Sequence, residues 1–283
     1  MRIKPQRTGK SDFLSVYKKA LTYTTARRGD PSRLYNLRCS QLPFCGASVW
    51  LNYGLRGMIQ EMDMMMAFYV TVGTAVHTVM QTYLSMSGQF LADYECRECG
   101  KKYPLSHVHE CCGFPTQYEE VNLDYKGIQG HIDGIFKDRL GRYWIIDFKT
   151  TSMTAAPGKV NKPGIGYERQ VMAYAWLLRK QYGIKVEGVM LIFIPRDNPK
   201  DPVIWEALMT PKMWERAYSD LKKDRALHQL TMKAKTLEDA KILFENKCGN
   251  EWCDFCSKPK SELVNLAKRV LKTGNFPIKK ESK

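Results

Sequence analysis

The chain has 283 residues, 44% of them hydrophobic, which is enough for one large domain with insertions or for two small ones. Lysine and arginine number 44 against 29 aspartate and glutamate, a net charge of +15 that points to a polyanionic partner, with nucleic acid the natural candidate. The nine cysteines are odd in number and sit mostly in tight clusters, which argues against a secreted disulfide framework. The start, Met1 to Arg7, is basic with no apolar run behind it, and no stretch reaches the length of a membrane span. These features predict an intracellular, cytoplasmic protein with no membrane association, whose cysteines bind metal.

In chain order, a first helix is expected over Asp12–Thr25, and residues 31–93 read as mainly helical. Within them Met58–Tyr83 carries methionines and other apolar residues at helical spacing, a pattern that usually means adaptable core packing. Cysteines and glycines break the pattern at 94–113. Three strands joined by short turns follow, Tyr118–Tyr125, Gln129–Lys137 and Arg142–Lys149, an antiparallel meander. Thr150–Gly166 is a loop and Tyr167–Tyr182 an amphipathic helix. Val186–Pro195 and Pro202–Met209 are two further strands, and helices run from Pro211 to about Glu245. A cysteine-rich turn and a basic helix over Lys260–Lys272 complete the pattern, which implies an α/β mixed sheet flanked by helices.

The chemistry concentrates in Gly130-His-Ile-Asp133-Gly and, twelve residues on, Asp147-Phe-Lys149-Thr. Asp147 and Lys149 are two apart and share one face of a strand. Two carboxylates facing one cavity are costly unless a cation neutralises them, and hard oxygen ligands suggest Mg²⁺ or Mn²⁺. Trp144-Ile-Ile before Asp147 places these charges at the end of an apolar strand, unlike a surface ion pair.

Four ordered segments carry a resemblance: Gly73-Thr-Ala-Val-His77, Asp133, Asp147-Phe-Lys149 and Gln170-Val-Met-Ala-Tyr174. Together they resemble the PD-(D/E)XK nuclease superfamily, in its RecB-like branch, over roughly residues 35 to 260. The resemblance implies a restriction-endonuclease-like core in which His77, Asp133, Asp147 and the Phe148 carbonyl ligate the metal. It implies that Lys149 positions a water or stabilises phosphoryl charge. Gln170 and Tyr174, one helical turn apart, would face the active site and contact DNA or brace Lys149. Glu119 or Glu120 adds a further ligand, the spacing leaving the choice open. His131 shares the strand face of Asp133 and is within reach of the site by that spacing, though the resemblance does not require it. The implied division is an N-terminal helical region with Cys45 (1–60), a nuclease core with a cysteine-rich insertion at 94–114 (61–230), and a C-terminal helical region with the remaining cysteines (231–283).

The insertion carries Cys96-x2-Cys99-Gly and His109-x2-Cys112-Gly, two knuckles of the zinc-ribbon form. Cys96, Cys99, His109 and Cys112 are therefore the expected ligands of a structural Zn²⁺, with Cys111 and His107 in reserve. The second set is Cys248-x4-Cys253-x2-Cys256, three thiols that need a fourth. Ser40-Gln-Leu42-Pro-Phe-Cys45 resembles the entry motif of RecB-like nucleases with iron–sulfur clusters. That resemblance implies a 4Fe–4S cluster held by Cys45, Cys248, Cys253 and Cys256. Zinc fits the same four thiolates, and Cys39 is a reserve ligand.

The function implied is a metal-dependent DNA exonuclease that processes ends in recombination, repair or replication, of the kind found in phages and mobile elements. No Walker-type sequence is present, so a helicase or recombination protein would be a separate partner. Two other classes remain open: a nuclease fold retained only for binding, and a zinc or iron–sulfur nucleic-acid adaptor. Oligomeric state is not readable.

Overall fold

The computed structural model describes residues 36–54, 64–197, 202–250 and 253–273. The helix expected over Asp12–Thr25 and the first residues of Met58–Tyr83 lie outside them. Among the described residues no helix is long and apolar enough to cross a membrane.

The centre is a mixed sheet built around β10 (Tyr143–Thr151), which is buried along most of its length. β10 runs antiparallel to β9 (Gly134–Lys137) and parallel to β11 (Gly188–Pro195). The full order is β12 (Val203–Leu208), β11, β10, β9, β2 (Phe90–Glu95) and β3 (Lys102–Ser106), with β6 (Gln117–Glu119) also paired to β2. A parallel pair cannot be joined by a tight turn. The crossover from β10 to β11 is made by α3 (Ala156–Lys159) and α4 (Ile165–Tyr182). α4 ends at Gly183, whose positive φ lets its N–H return to the Arg179 carbonyl at 3.1 Å.

Alternation along the strands divides the core between two faces. Ile145, Val189, Leu191 and Phe193 face α4 and pack with Val171, Ala175 and Leu178. Ile146 and Phe148 face the other way and pack with Phe90 and with Met80 and Leu84 of α2 (Met64–Ser85). The outer side of α2 leaves Met65, Phe68, Val79 and Tyr83 exposed, so its apolar residues are not all core.

A small second sheet, β1 (Leu37–Arg38), β8 (Ile128–Ile132) and β7 (Val121–Tyr125), abuts the first. One chain segment serves both sheets, since β8 ends at Ile132 and β9 begins at Gly134. The single strand expected over Gln129–Lys137 is thus two strands with Asp133 at the joint. Gly134 is required there, because a Cβ would lie 1.7 Å from Cζ of Phe90. The strand expected over Tyr118–Tyr125 likewise splits at Glu120, and its halves join different sheets. β2 falls where the sequence reading expected helix. Its period is two: Phe90, Ala92 and Tyr94 are buried and the residues between them half-buried.

A second core joins distant parts of the chain. Trp50 and Leu51 of α1 (Gly46–Gly54) pack with Leu243 and Phe244 of α6 (Leu237–Glu245) and with Leu263, Ala267 and Val270 of α7 (Lys260–Thr273). α5 (Pro211–Lys233) connects this core to α4. It starts at Pro211 with Thr210 as its cap and carries Asp224, which Arg169 of α4 meets at 2.7 Å.

Candidate active site and metal centres

Asp147 and Lys149 lie on the α4 side of β10, as their spacing requires, with the ammonium 2.5 Å from Asp147 Oδ2. Both are deeply placed, Asp147 being 2% exposed. Burial pushes the Asp147 carboxyl up to about 6; Lys149 opposes this and the charge of Asp133 adds to it. Burial alone would lower the Lys149 ammonium, but the contact with Asp147 outweighs it and holds the group above its ordinary value.

Asp133 occupies the joint between the two sheets, where its carboxylate escapes ladder geometry and turns toward β10. Its Oδ2 accepts the Phe148 amide at 2.7 Å and lies 3.3 Å from His77 Nδ1. Burial lowers the His77 imidazole and the hydrogen bond it donates to Asp133 raises it, with a net rise. His77 comes from α2, which approaches β10 closely at Gly73. A Cβ there would meet Thr150 Oγ1 at 3.3 Å, a physical reason for glycine one turn before the histidine.

Two residues that sequence reasoning missed complete the surround. Gln81, one turn after His77, donates to Asp133 Oδ1 and to Glu120 Oε1, both at 3.4 Å. The Tyr118 hydroxyl donates to the Asp133 carbonyl. Of the two glutamates left open, Glu120 is the one at the site, its carboxyl raised by burial and by Asp133, whereas Glu119 is exposed. His131 points outward from β8. Gln81 and Glu120 also line an open cleft of about 1700 Å³ beside the cysteine-rich insertion. The i, i+4 spacing from His77 was the available signal for Gln81.

From α4, Gln170 donates to Asp147 Oδ1 at 3.3 Å, and its amide also meets the Tyr174 hydroxyl at 2.7 Å. The Tyr174 ring packs against β8 at Gly130, where a Cβ would sit 2.6 Å from its Cε1. The glycine of Gly130-His-Ile-Asp133 thus makes room for the tyrosine of Gln170-x3-Tyr174.

His77 with Asp133, and Lys149, Gln170 and Tyr174 with Asp147, therefore form two polar groups that adjoin where Asp133 accepts the Phe148 amide beside Asp147. The two buried carboxylates are hard oxygen donors of the kind that suits Mg²⁺ or Mn²⁺, with the His77 imidazole beside Asp133. Burial, with the Asp133 charge adding to it, raises the Asp147 carboxyl, and a bound cation would favour its ionised form.

Among the described residues, two groups place all their ligand atoms within 4.8 Å of one another, and both are cysteine sets. One is Cys96, Cys99, Cys111 and Cys112, with Cys111 where the sequence reading put His109. His109 is held elsewhere: its backbone pairs with Thr116, its Nδ1 lies 3.0 Å from the His107 carbonyl, and its ring packs edge-on against Tyr103. The reserve His107 meets the Phe90 carbonyl instead. Amides of Cys99 and Glu98 donate to the Cys96 sulfur and bring its thiol down to about 7, favouring the thiolate a metal needs. The other set is Cys45, Cys248, Cys253 and Cys256. Cys39, the reserve, sits in the main core near Tyr174, away from this set.

A mixed sheet that brings an aspartate and a D-x-K pair together from adjacent strands defines a class of phosphodiester-cleaving folds. The chain belongs to the PD-(D/E)XK nuclease superfamily, whose family model matches residues 104–259, more than half of its length. His77 and Cys45 lie before the matched segment. Similar solved structures include the protein titled SSO0001 (15% identity, TM-score 0.41, 77% of this chain and 87% of that one). Another is an alkaline exonuclease, LHK-Exo, from Laribacter hongkongensis (12% identity, TM-score 0.41, 76% of this chain and 94% of that one). No curated protein matches the sequence.

Proposed function

We propose that the chain is a divalent-metal-dependent deoxyribonuclease of the RecB-like branch, acting as an exonuclease on DNA ends. The observation that carries this reading is the convergence of Asp133, Asp147 and Lys149, with His77 on one side and Gln170 on the other. Asp133, Asp147, His77 and the Phe148 carbonyl are the groups that hold Mg²⁺ or Mn²⁺. Such an ion, when bound, polarises the scissile phosphate and lowers the pKa of a bound water.

The chain's own side chains do the rest. Lys149, kept charged by Asp147, stabilises charge on the phosphoryl oxygens and orients the attacking water. Gln170 fixes one Asp147 oxygen, and Tyr174 fixes Gln170. Gln81 and the Phe148 amide fix the two oxygens of Asp133. The net charge of +15 supports a DNA substrate. The insertion serves as a structural zinc ribbon. A helicase or recombination protein supplied separately, and an intracellular setting in a phage or mobile element, complete the reading.

The test is cleavage of end-labelled single- and double-stranded linear DNA with Mn²⁺, Mg²⁺ or EDTA, beside Asp147→Ala. Metal-dependent degradation lost in the variant supports the reading, and the label pattern gives polarity. Tight binding without cleavage in any metal refutes it and leaves a nucleic-acid-binding module.

A further inference from the structure

The family resemblance implies an iron–sulfur cluster at Cys45, Cys248, Cys253 and Cys256, but the spacing of the sulfurs does not fit one. Cys45 and Cys256 Sγ are 3.6 Å apart, Cys248 and Cys256 3.5 Å, and Cys253 and Cys45 3.5 Å. A tetrahedral ion with Zn–S bonds of about 2.3 Å sets its sulfurs about 3.8 Å apart. A 4Fe–4S cluster ties each thiolate to a different iron, and four irons with four sulfides fill the interior, so its cysteine sulfurs stand much farther apart.

The same chain offers an internal comparison. In the insertion, Cys99 and Cys111 Sγ are 3.7 Å apart and Cys111 and Cys112 3.9 Å, so both sets have the dimensions of a one-ion centre. Both also show amide-to-sulfur bonds. Ser48 N–H donates to Cys45 Sγ at 3.4 Å and the Asn250 amide to Cys248, as the Cys99 and Glu98 amides do to Cys96. Cys45 is packed into the second core beside Leu243 and Leu263, so widening the set means displacing α1 from α6 and α7.

We propose that Cys45, Cys248, Cys253 and Cys256 hold one tetrahedral thiolate-ligated ion, Zn²⁺, in place of an iron–sulfur cluster. The chain then carries two structural zinc centres. The second clamps the segment before α1 to the segment before α7. Metal binding displaces the thiol protons, so the site forms with folding and is not built for electron transfer. The ion itself is redox-inert, so only the thiolates are open to oxidation.

The experiment is metal and acid-labile sulfide analysis of the full chain, purified anaerobically from iron-replete cells, then repeated after anaerobic incubation with ferrous iron and sulfide. The expected result is about two zinc per chain, no iron or sulfide in either sample, and no visible absorption. Cys45→Ser is expected to keep about one zinc, that of the insertion. Iron with acid-labile sulfide, in the purified or the incubated protein, overturns the proposal. So does a wild-type chain with a single zinc that Cys45→Ser leaves unchanged. The wild-type analysis stands alone if the variant does not fold, and neither outcome depends on the nuclease assay.

Discussion

Replacing Gly130 by alanine is expected to damage stability and the active site together, because the residue it displaces is Tyr174. The added Cβ would sit 2.6 Å from Cε1 and 2.9 Å from Cδ1 of the ring, and 3.1 Å from Cys39 Sγ. The closest of these is about 0.8 Å short of ordinary contact. The ring cannot swing away, since Tyr174 is 3% exposed within α4 and its hydroxyl is tied to Gln170. Overpacking of this kind costs about 1–3 kcal/mol. In a chain of this size that lowers Tm by roughly 2–8 °C. Because Gln170 also holds Asp147, the shift reaches the carboxylate, and a drop in cleavage rate of about tenfold is expected from misplacement of the network. The assay is thermal unfolding with cleavage kinetics at saturating Mn²⁺. The control is Gly130→Ala in a Tyr174→Ala background, where the clash is gone and the further stability loss should nearly vanish. An equal loss in both backgrounds, or a Gly130→Ala protein with wild-type Tm, refutes the argument that glycine is there to admit the ring.

Gln170→Leu keeps the volume but removes both hydrogen bonds; it should lower the rate about tenfold with a smaller effect on Tm, read by steady-state cleavage. Arg169→Leu strands Asp224 without a counter-charge between α4 and α5, while Asp220 keeps Arg216 at 3.8 Å; this should cost about 3 kcal/mol in a denaturant titration. Burial pushes the Asp138 carboxyl up, but bonds from the amide and side chain of Arg142, the Trp144 ring N–H and the Leu140 amide outweigh it and hold it down at about 2. A depressed folded pKa means the stabilisation is full above the unfolded value of 3.8 and lost as pH falls toward 2. Asp138→Asn should therefore flatten that acid limb of a Tm-against-pH curve, and an unchanged limb would refute the assignment.

Much of the candidate site was legible because its chemistry is local. Asp147 and Lys149 share a face by strand period, and Gln170 and Tyr174 by helix period, so spacing alone pairs them. Asp133 was legible as a carboxylate but not as a joint, because β8 and β9 form one continuous apolar-polar run whose division depends on which sheets accept it. Gln81 had only its one-turn spacing from His77 to mark it, because an amide bridging two carboxylates has no composition signature. His109 misled because a knuckle counted by two intervening residues fits it and Cys112 equally well. The positive φ of Cys112 instead turns the adjacent pair Cys111-Cys112 inward, and no spacing rule anticipates that. β2 was missed because it follows a long helical run whose apolar residues mask the change of period.

The second core has a consequence for biosynthesis. Its N-terminal contribution, Cys45 to Leu51, is covered by residues from the end of α5 through α7, and Cys45 meets Cys256 across a separation of 211 residues. At ribosomal rates of about 5–20 residues per second, roughly 10–40 s pass between the appearance of the first half and that of the second. For most of that interval Trp50 and Leu51 lack their native cover, which begins only with the end of α5, although the central sheet is already complete in the nascent chain. Nascent chains truncated before α6 should accordingly hold a chaperone at this segment and release it when α7 emerges.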